Sequence, residues 1–445
     1  MQHHTFHYKT RDDLQRELEA LGVSLPLSDN LQVLREPLQI EGRTLANRLA
    51  VQPMEGCDAT PDGAPGELTY RRYRRFAQGG AGMIWMEAVA VSQESRANPR
   101  QLFLHNDNVD DFARLVEDIK KTGRQANGFE PMVIVQATHS GRYSKPEGTP
   151  RPLIAYQNPI FEGDKPLDPS CILPDDALMR LEEQFGQMAR LAEQAGFDGI
   201  DIKCCHRYLL NEFLSAYRRP GLYGGSFENR TRLLRNSVAS AQAEVSSRCF
   251  VTCRLNIYDG FPYPYGYGVG TDGSVQPQLE EPIDLVGILH KQMGMNLINM
   301  TLGNPYVNPH VNRPYDRGPY EPQEHPLEGV ARMFSCIGRV SAPYPDLTVV
   351  SSGHSYLRHL SPLAAAGVVE SKIASVAGFG REALAYPDFA NDILHTGGLD
   401  AKKCCVSCGK CSQLMRMNQV AGCAVRDAFY LDLFRKASAK KEEAK

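Results

Sequence analysis

Apolar and polar residues are distributed in blocks along this chain. Eight short runs are apolar and β-prone, and most of them adjoin a stretch in which apolar residues recur at helical spacing. The eight runs cover residues 49–54, 83–89, 132–136, 199–203, 250–254, 296–300, 347–351 and 372–377. Helical spacing is found at residues 109–122, 176–195 and 282–293.

Nearly continuous apolar strands separated by helices are typical of parallel strands buried on both faces. Eight such units predict an α/β fold, a (β/α)₈ TIM barrel, over residues 37–395, with the active site at the carboxyl ends of the strands. A doubly wound open sheet is the alternative. No G-x-G-x-x-G motif follows the first strand, which disfavours a dinucleotide-binding version of that sheet.

The flanking and connecting segments are predicted from their weaker patterns. Residues 1–36 are expected to form an extension, with a short amphipathic helix at 12–21 and an extended lead-in at 26–38. Two irregular segments, 258–278 and 304–325, follow the fifth and sixth strands. Long loops of this kind are often functional, and these two are expected to lie over the barrel mouth.

The composition is that of an ordinary globular protein, with 42% hydrophobic and 23% charged residues, and it excludes wholesale disorder. The formal net charge of −3 argues against nucleic acid or an anionic membrane as the main partner. No apolar run approaches the ~18 residues of a membrane span, and the first four residues do not resemble a signal peptide. The twelve cysteines do not suggest a disulfide framework, and reduced thiols predict a cytoplasmic protein.

Polar residues at the predicted strand ends are the first candidates for chemistry. An amide, Gln136, ends the third strand, and an arginine, Arg254, ends the fifth. Burying both is costly unless a polar ligand meets them. Glycines follow the seventh and eighth strands, and Gly380-Arg381 opens a helix. Such turns can hold a phosphate with backbone N–H groups and an arginine.

Four motifs in the same order resemble the old yellow enzyme family of FMN-dependent ene-reductases. They are the strand at 47–54, the Q-x-x-H-x-G-R motif at 136–142, the segment 196–230 and the phosphate end at 380–387. The resemblance covers about residues 37–395 and implies a flavin-binding TIM barrel.

The resemblance implies a role for each matching residue. The flavin would be lined by Pro53, Met54 and Ala88, its pyrimidine ring would be bound by Gln136 and Arg254, and its phosphate would be held by Gly353, Gly380 and Arg381. The substrate carbonyl would be bound by His206, and Tyr208 would be the proton donor. Bound FMN would then pass hydride to the substrate.

Three positions depart from the family pattern. Lys203 stands where the family usually has His, Arg207 replaces a glycine, and Glu55 replaces Thr or Cys. The two added cations near the pocket suggest an anionic substrate, such as a carboxylate or a CoA thioester. Alternatively, Lys203 pairs with Glu55.

Five of the twelve cysteines lie close together near the end of the chain. The pattern Cys405-x-x-Cys408-x-x-Cys411-x₁₁-Cys423 suits the four thiolate ligands of a [4Fe–4S] cluster. Zinc is the rival, although structural zinc sites usually use two separated pairs. The adjacent Cys404 is predicted not to be a ligand. Residues 396–445 are therefore assigned to a cluster segment and a C-terminal helix, whose last ten residues form a solvated charge run.

The cysteine segment also resembles the one after the barrel in 2,4-dienoyl-CoA reductase and trimethylamine dehydrogenase, without the nucleotide-binding domains that follow in those proteins. The leading hypothesis is an enzyme that reduces an activated C=C bond, with the cluster relaying electrons. An amine dehydrogenase or demethylase and a non-catalytic electron-transfer subunit are the alternatives. The electron source is NAD(P)H or a reduced protein, and a homo-oligomer is left open.

Overall fold

The structure of the protein is a computed structural model that describes residues 5–443. Ten strands lie in this range: β1 (Leu38–Ile40), β2 (Arg43–Leu45), β3 (Leu49–Val51), β4 (Met83–Ala90), β5 (Met132–Thr138), β6 (Gly199–Ile202), β7 (Phe250–Asn256), β8 (Leu297–Thr301), β9 (Thr348–Ser351) and β10 (Val376–Phe379). Strands β3 to β10 pair in parallel with their neighbours and close into a barrel. The predicted (β/α)₈ barrel is thereby confirmed, and the open-sheet alternative is wrong.

Helices cover the outside of the barrel and form both flanking segments. Those within residues 5–443 are α1 (Arg11–Leu21), α2 (Glu67–Gln78), α3 (Val109–Asn127), α4 (Pro159–Glu162), α5 (Asp175–Gln194), α6 (Leu209–Leu214), α7 (Phe227–Glu244), α8 (Glu280–Gly287), α9 (Pro309–Asn312), α10 (Pro326–Ser341), α11 (Ser361–Glu370), α12 (Arg381–Ala385), α13 (Phe389–Thr396), α14 (Lys410–Arg416) and α15 (Ala428–Glu443). None of the helices in this range is long and apolar enough to cross a membrane.

The barrel is filled from one end, which leaves the other end for chemistry. Side chains from the first residues of the strands, such as Met83, Met132 and Leu297, form a core inside the barrel. The β1–β2 hairpin adds Ile40 and Leu45 to this core and so closes the amino-terminal end. The carboxyl ends of the strands stay available for polar side chains, as is general for this fold.

Most predicted elements are found, with shifts at their ends. The helix α1 is confirmed, and a capping box between Thr10 and Asp13 begins it. The eighth strand begins at Val376 rather than at 372, because Lys372 has a left-handed backbone (φ 58°) that ends the preceding turn. The extended lead-in at 26–38 is only partly right, since Leu31–Arg35 is a 3₁₀ helix that buries Val33 and Leu34.

The loops at 258–278 and 304–325 are irregular as predicted, apart from the single turn α9. Helix α15 confirms that the charged end of the chain is helical as far as residue 443. The first four residues, on which the absence of a signal peptide was judged, lie outside the described range, as do residues 444–445.

Candidate active site

One large cavity, the central cavity, opens at the carboxyl ends of the barrel strands. Its volume is about 640 Å³. It is lined by ten of the residues singled out in the sequence: Pro53, Met54, Glu55, Ala88, Gln136, Lys203, His206, Tyr208, Arg254 and Arg381. The exposed Lys145, Gly148 and Arg416 line its outer end, so that the cavity is open to solvent.

A buried carboxylate holds the floor of the central cavity in place. Asp201 accepts hydrogen bonds from Gln136 Nε2 at 2.6 Å, from Trp85 Nε1 at 2.8 Å and from the backbone nitrogen of Arg254 at 2.5 Å. Burial raises the pKa of Asp201 to about 6. Because Nε2 of Gln136 is committed to Asp201, its Oε1 remains to accept from a ligand.

Arg254 has a buried guanidinium that forms no ion pair with a carboxylate among the described residues. The residue is 7% exposed, and its Nε has no hydrogen-bond partner. Among residues 5–443 its guanidinium forms neither a hydrogen bond nor an ion pair, and burial lowers its pKa. A buried cation without a partner is costly, so this position favours a ligand that carries negative charge.

A smaller cavity of about 80 Å³, the glycine cavity, adjoins the central cavity and is lined by Gly353, Gly380 and Arg381. Gly353 has φ 100°, a left-handed conformation that favours glycine. Arg313 also lines the glycine cavity, and burial together with the nearby Arg381 lowers the pKa of Arg313 to about 10. Two guanidinium groups that repel each other across a small cavity suit a phosphate dianion.

Three side chains after strand β6 face the central cavity. The Lys203 ammonium lies 3.4 Å from the centroid of the Tyr208 ring, a cation–π contact. Burial lowers the pKa of Lys203. The Tyr208 hydroxyl donates to Glu55 Oε1 at 3.0 Å and lies 3.0 Å from the Tyr306 hydroxyl. Burial, followed by the charge of Glu55, raises the pKa of Tyr208 well above its usual value.

This arrangement corrects the interpretation that Lys203 pairs with Glu55. In the part of the chain that the structure describes, no ion pair within 4 Å joins the two, although Glu55 does act on Lys203 through its charge. The carboxylate is turned to Tyr208, and the ammonium rests on the ring of the same tyrosine. Tyr208 therefore stands between the two charges.

His206 is a neutral imidazole on the wall of the central cavity. Burial, together with the charges of Arg254 and Lys203, lowers its pKa well below the usual range. Its Nε2 lies 3.0 Å from the Asn312 side-chain amide, which donates to it. A neutral ring that accepts at Nε2 carries its proton on Nδ1, and this N–H remains available to bind a carbonyl oxygen.

The expectation that Arg207 adds positive charge to the pocket is wrong. Arg207 is completely buried and forms an ion pair of 3.0 Å with Asp259, and it also donates to Ser215 Oγ and Tyr156 Oη. It does not line the central cavity. Its charge is neutralised inside the protein, because a side chain of that length at this position reaches into the neighbouring loop.

The four predicted cluster cysteines share a small cavity, the cysteine cavity, beside the barrel. It is lined by Cys405, Cys408, Cys411 and Cys423, together with Cys404. Among residues 5–443, no three His, Cys, Asp or Glu side chains are arranged to share a single metal ion. Arg381 lines both the cysteine cavity and the central cavity, and its guanidinium contacts Cys411 Sγ at 2.6 Å.

Positive charge gathers at the outer end of the central cavity. Arg100, Lys145 and Arg416 line this end. Arg100 donates to the backbone oxygen of Asn418 at 2.6 Å. The side chains of Lys145 and Arg416 are exposed and have no hydrogen bond or ion pair within the described range. This end of the cavity is therefore suited to an anionic group.

In the loop at 304–325, Tyr306 lines the central cavity. Tyr315 is buried, and the His310 ring packs against Tyr320. Reasoning from the sequence missed the roles of Arg313 and Asn312, since both lie in an irregular loop where spacing carries no signal. Asp201 could have been found, because a carboxylate inside an apolar strand must meet buried donors.

A family model described as the NADH:flavin oxidoreductase / NADH oxidase family matches residues 33–264. An NADPH dehydrogenase of Halalkalibacterium halodurans is 33% identical over 218 residues, which are 48% of this chain and 60% of that protein. The matched part thus spans less than two thirds of the length of this curated relative.

Solved structures show the same fold at low sequence identity. A 2-naphthoyl-CoA reductase in complex with 2-naphthoyl-CoA is 17% identical with a TM-score of 0.71, and the match covers 89% of this chain and 57% of that chain. A histamine dehydrogenase from Rhizobium sp. 4-9 is 19% identical with a TM-score of 0.68, and the match covers 90% of this chain and 53% of that chain.

Proposed function

The chain belongs to the NADH:flavin oxidoreductase / NADH oxidase family, and on this basis we propose that it reduces an activated C=C bond with FMN as its cofactor. The observation that carries the proposal is the open central cavity, which joins Gln136 and Arg254 on its floor to His206 and Tyr208 on its wall. A binding site for a flavin and a proton donor for a substrate would thus face each other across one space.

The residues present fit FMN. The unpartnered guanidinium of Arg254 and the free Oε1 of Gln136 would meet the pyrimidine edge of the ring, which has both an acceptor and an N–H donor. Pro53, Met54 and Ala88 would line the ring. The phosphate would be held in the glycine cavity, the wall of which includes Gly353, Gly380, Arg313 and Arg381. Bound FMN would supply the hydride that adds to the β-carbon of the substrate.

The protein itself would polarise the substrate and supply a proton. His206, protonated at Nδ1, would donate a hydrogen bond to the substrate carbonyl oxygen and so draw electrons away from the C=C bond. Tyr208 would protonate the α-carbon. Its high pKa keeps the phenol protonated at neutral pH, so that the proton is present when the reduced carbon needs it.

An anionic substrate is supported by the charges around the central cavity. Lys203 lies inside it, while Lys145 and Arg416 are unpaired within residues 5–443 at its outer end. A carboxylate or the phosphates of a CoA thioester would meet these cations. Turnover of a carboxylated enone should therefore exceed that of the neutral methyl ketone of the same size, and equal rates would contradict an anionic substrate.

We also propose that the cysteine cavity holds a [4Fe–4S] cluster. Four thiols line it, the Arg381 guanidinium contacts Cys411 Sγ, and the Ser407 N–H donates to Cys405 Sγ at 3.4 Å. Such donors stabilise thiolate charge, as they do around known clusters. The cluster would carry single electrons between the flavin and a reduced donor protein, while NAD(P)H is the alternative electron source.

An amine dehydrogenase is the nearer rival, as the fold is shared with a histamine dehydrogenase. The tyrosines Tyr143, Tyr208 and Tyr306 and the carboxylate of Glu55 in the central cavity favour a cationic ligand. However, Lys203 already occupies the face of the Tyr208 ring and would repel a substrate ammonium. A non-catalytic electron-transfer role is less well supported, since the cavity is open beside His206 and Tyr208.

One anaerobic experiment tests the proposal directly. The purified protein is reconstituted with FMN, iron and sulfide, reduced, and mixed with enones, enoates and enoyl thioesters while the flavin spectrum is recorded. Unsaturated compounds should restore the oxidised flavin spectrum, and their saturated counterparts should not. Protein that stays colourless after reconstitution would overturn the proposed function. So would a flavin that amines reduce and that none of the unsaturated compounds reoxidises.

A further inference from the structure

Glu55 is a carboxylate in the central cavity whose presence the proposed reaction does not explain. It follows strand β3 on a loop that is held tightly: the backbone nitrogen of Gly56 donates to Glu87 Oε2 at 2.7 Å. A Cβ at Gly56 would overlap the buried Arg72 guanidinium, at 2.1 Å from Nη1. The loop therefore fixes the direction of the Glu55 side chain toward Tyr208.

The hydrogen-bond directions around Tyr208 follow from its single proton. The phenol donates this proton to Glu55 Oε1 at 3.0 Å, so the contact of 3.0 Å with Tyr306 must be a bond that Tyr306 donates. With Glu55 ionised, the phenol proton is directed away from the substrate space. If Tyr208 then lost that proton, a tyrosinate would face a carboxylate at 3.0 Å, an unfavourable pair of like charges.

We propose that Glu55 is a proton-supplying residue that acts through Tyr208, passing its own proton to the phenol oxygen as Tyr208 protonates the substrate. In this step the Glu55 O–H bond breaks and a new Tyr208 O–H bond forms, while the original Tyr208 O–H bond breaks and a C–H bond forms at the α-carbon. Glu55 is left as a carboxylate and takes up a proton from solvent for the next turnover. The inference rests on the proposed function and adds a second proton donor to it.

Glu55 and Tyr208 lie among other ionisable side chains. Their neighbours include cations, other phenols, a thiol and one buried acid. The titratable and charged groups that face Glu55 and Tyr208 are Lys203, Tyr306, Tyr143, Cys57, Glu87, His206 and Arg254. Lys203 on the Tyr208 ring places a positive charge near the carboxylate that the transfer leaves behind, and the central cavity, which is open to solvent, provides the route by which the proton returns.

The test compares Glu55→Gln with Glu55→Asp, Tyr306→Phe and Tyr208→Phe in the FMN-loaded protein. The rate at which an unsaturated substrate reoxidises the reduced flavin should fall about 10²-fold in Glu55→Gln, the lower end of the range for removing a general acid. Reduction of the flavin by the electron donor should be unchanged. Glu55→Asp should recover much of the rate, and Tyr306→Phe should change it by roughly two- to tenfold, since it removes a single hydrogen bond.

A count of the protons in flight separates a proton supplier from a residue of purely structural importance, and the Tyr208 resonance tests whether the Glu55 carboxylate acts on the phenol. In mixtures of H₂O and D₂O, the reoxidation rate of the unaltered protein should show two protons in flight, and that of Glu55→Gln only one. With ¹³C-labelled tyrosine, assigned by its loss in Tyr208→Phe, the Tyr208 resonance should titrate at lower pH in Glu55→Gln, because the raising effect of the carboxylate is gone.

The outcomes distinguish this inference from the proposed function. If Tyr208→Phe slows reoxidation while Glu55→Gln does not, the relay is overturned and the role of Tyr208 stands. One proton in flight in the unaltered protein would also overturn the relay. If neither variant slows reoxidation, Tyr208 is not the donor and both proposals fail together.

Discussion

Gln136 donates a hydrogen bond of 2.6 Å to Asp201, its direct neighbour across the β5–β6 strand pair. The same carboxylate accepts from Trp85 and from the backbone of Arg254. One buried acid thus sets the orientation of both residues that would bind the pyrimidine edge of the flavin. Its role is to position other groups, since Asp201 itself does not line the central cavity.

Replacing Asp201 by Asn should weaken FMN binding and the fold. An amide has one acceptor oxygen, so at least one of the three donors that face Asp201 would meet an NH₂ group. A buried donor without an acceptor costs about 1–3 kcal/mol, which corresponds to roughly a 5- to 150-fold change in an equilibrium constant. FMN titration and urea unfolding measure the two effects. The exposed Asp176→Asn is the control, and equal values for both variants would contradict this role.

Replacing Arg254 by Met should reduce FMN affinity by about 10- to 150-fold, since a hydrogen bond to a charged group is worth about 1.5–3 kcal/mol. The apoprotein should not be destabilised, because the variant removes a buried cation that has no partner among residues 5–443. Arg248→Met, at an exposed surface position, provides the matched control for FMN titration. Unchanged FMN affinity in Arg254→Met would show that the flavin ring lies elsewhere.

Replacing Tyr208 by Phe should slow the oxidative half-reaction by about 10²- to 10⁴-fold, the range for loss of a general acid. The aromatic ring beneath Lys203 is retained, so FMN affinity and the reductive half-reaction should not change. Stopped-flow absorbance of the flavin separates the two half-reactions. A variant that reoxidises as fast as the unaltered protein would remove Tyr208 from the reaction.

Replacing Cys408 or Cys411 by Ser should remove iron and acid-labile sulfide from the reconstituted protein while FMN remains bound. Both thiols line the cysteine cavity, and loss of one of four ligands destabilises a cluster. Cys171→Ser, which alters a partly exposed thiol outside the cavity, should keep its iron. Cys404→Ser should keep it as well. Stoichiometric zinc in place of iron would favour the rival metal.

Stability should fall in acid partly because of His139. Burial lowers its pKa to about 3, and its Nδ1 accepts from the backbone nitrogen of Gly141 at 3.1 Å. In the unfolded chain the His139 imidazole takes up a proton at about pH 6.5, whereas in the folded protein it stays neutral at that pH. Its contribution to the free energy of unfolding is therefore complete above about pH 6.5 and is lost toward about pH 3, by up to about 1.4 kcal/mol per pH unit.

Urea unfolding at several pH values tests this contribution. His139→Asn keeps a side-chain acceptor but cannot take up the proton, so its free energy of unfolding should fall less steeply than that of the unaltered protein between about pH 6.5 and pH 4.5. His354 is buried with a similarly low pKa of about 3, and the double replacement should flatten the dependence further. Parallel curves for all three proteins would contradict the assignment.

The fold could be predicted from the sequence because it depends on apolar patterns within single strands and helices. Strands such as β4 and β5 are buried over their whole length, and a strand buried on both faces must be apolar throughout. Eight such runs with intervening helices leave few arrangements other than a barrel. The first residue of a strand was predicted less accurately, as at Val376, because a turn residue such as Lys372 can interrupt an otherwise strand-like pattern.

The positions of the predicted flavin and substrate residues also followed from the chain, since parallel strands place their carboxyl ends on one side of the barrel. Gln136, Arg254 and Tyr208 meet in the central cavity for that reason. Their partners did not follow, because charge alone does not say where a side chain turns. Lys203 and Glu55 have opposite charges, and yet each is in contact with Tyr208 instead.

Sequence by itself determined the periodicity, the burial of the strands and the order of the polar residues at their ends, since each depends on residues near one another in the chain. Only the tertiary structure decided that Arg207 is neutralised by Asp259 and that Glu55 accepts a hydrogen bond from Tyr208, across 153 positions of sequence. These contacts depend on distances of a few ångströms between loops, which are set by the packing of the whole barrel and which no local pattern encodes.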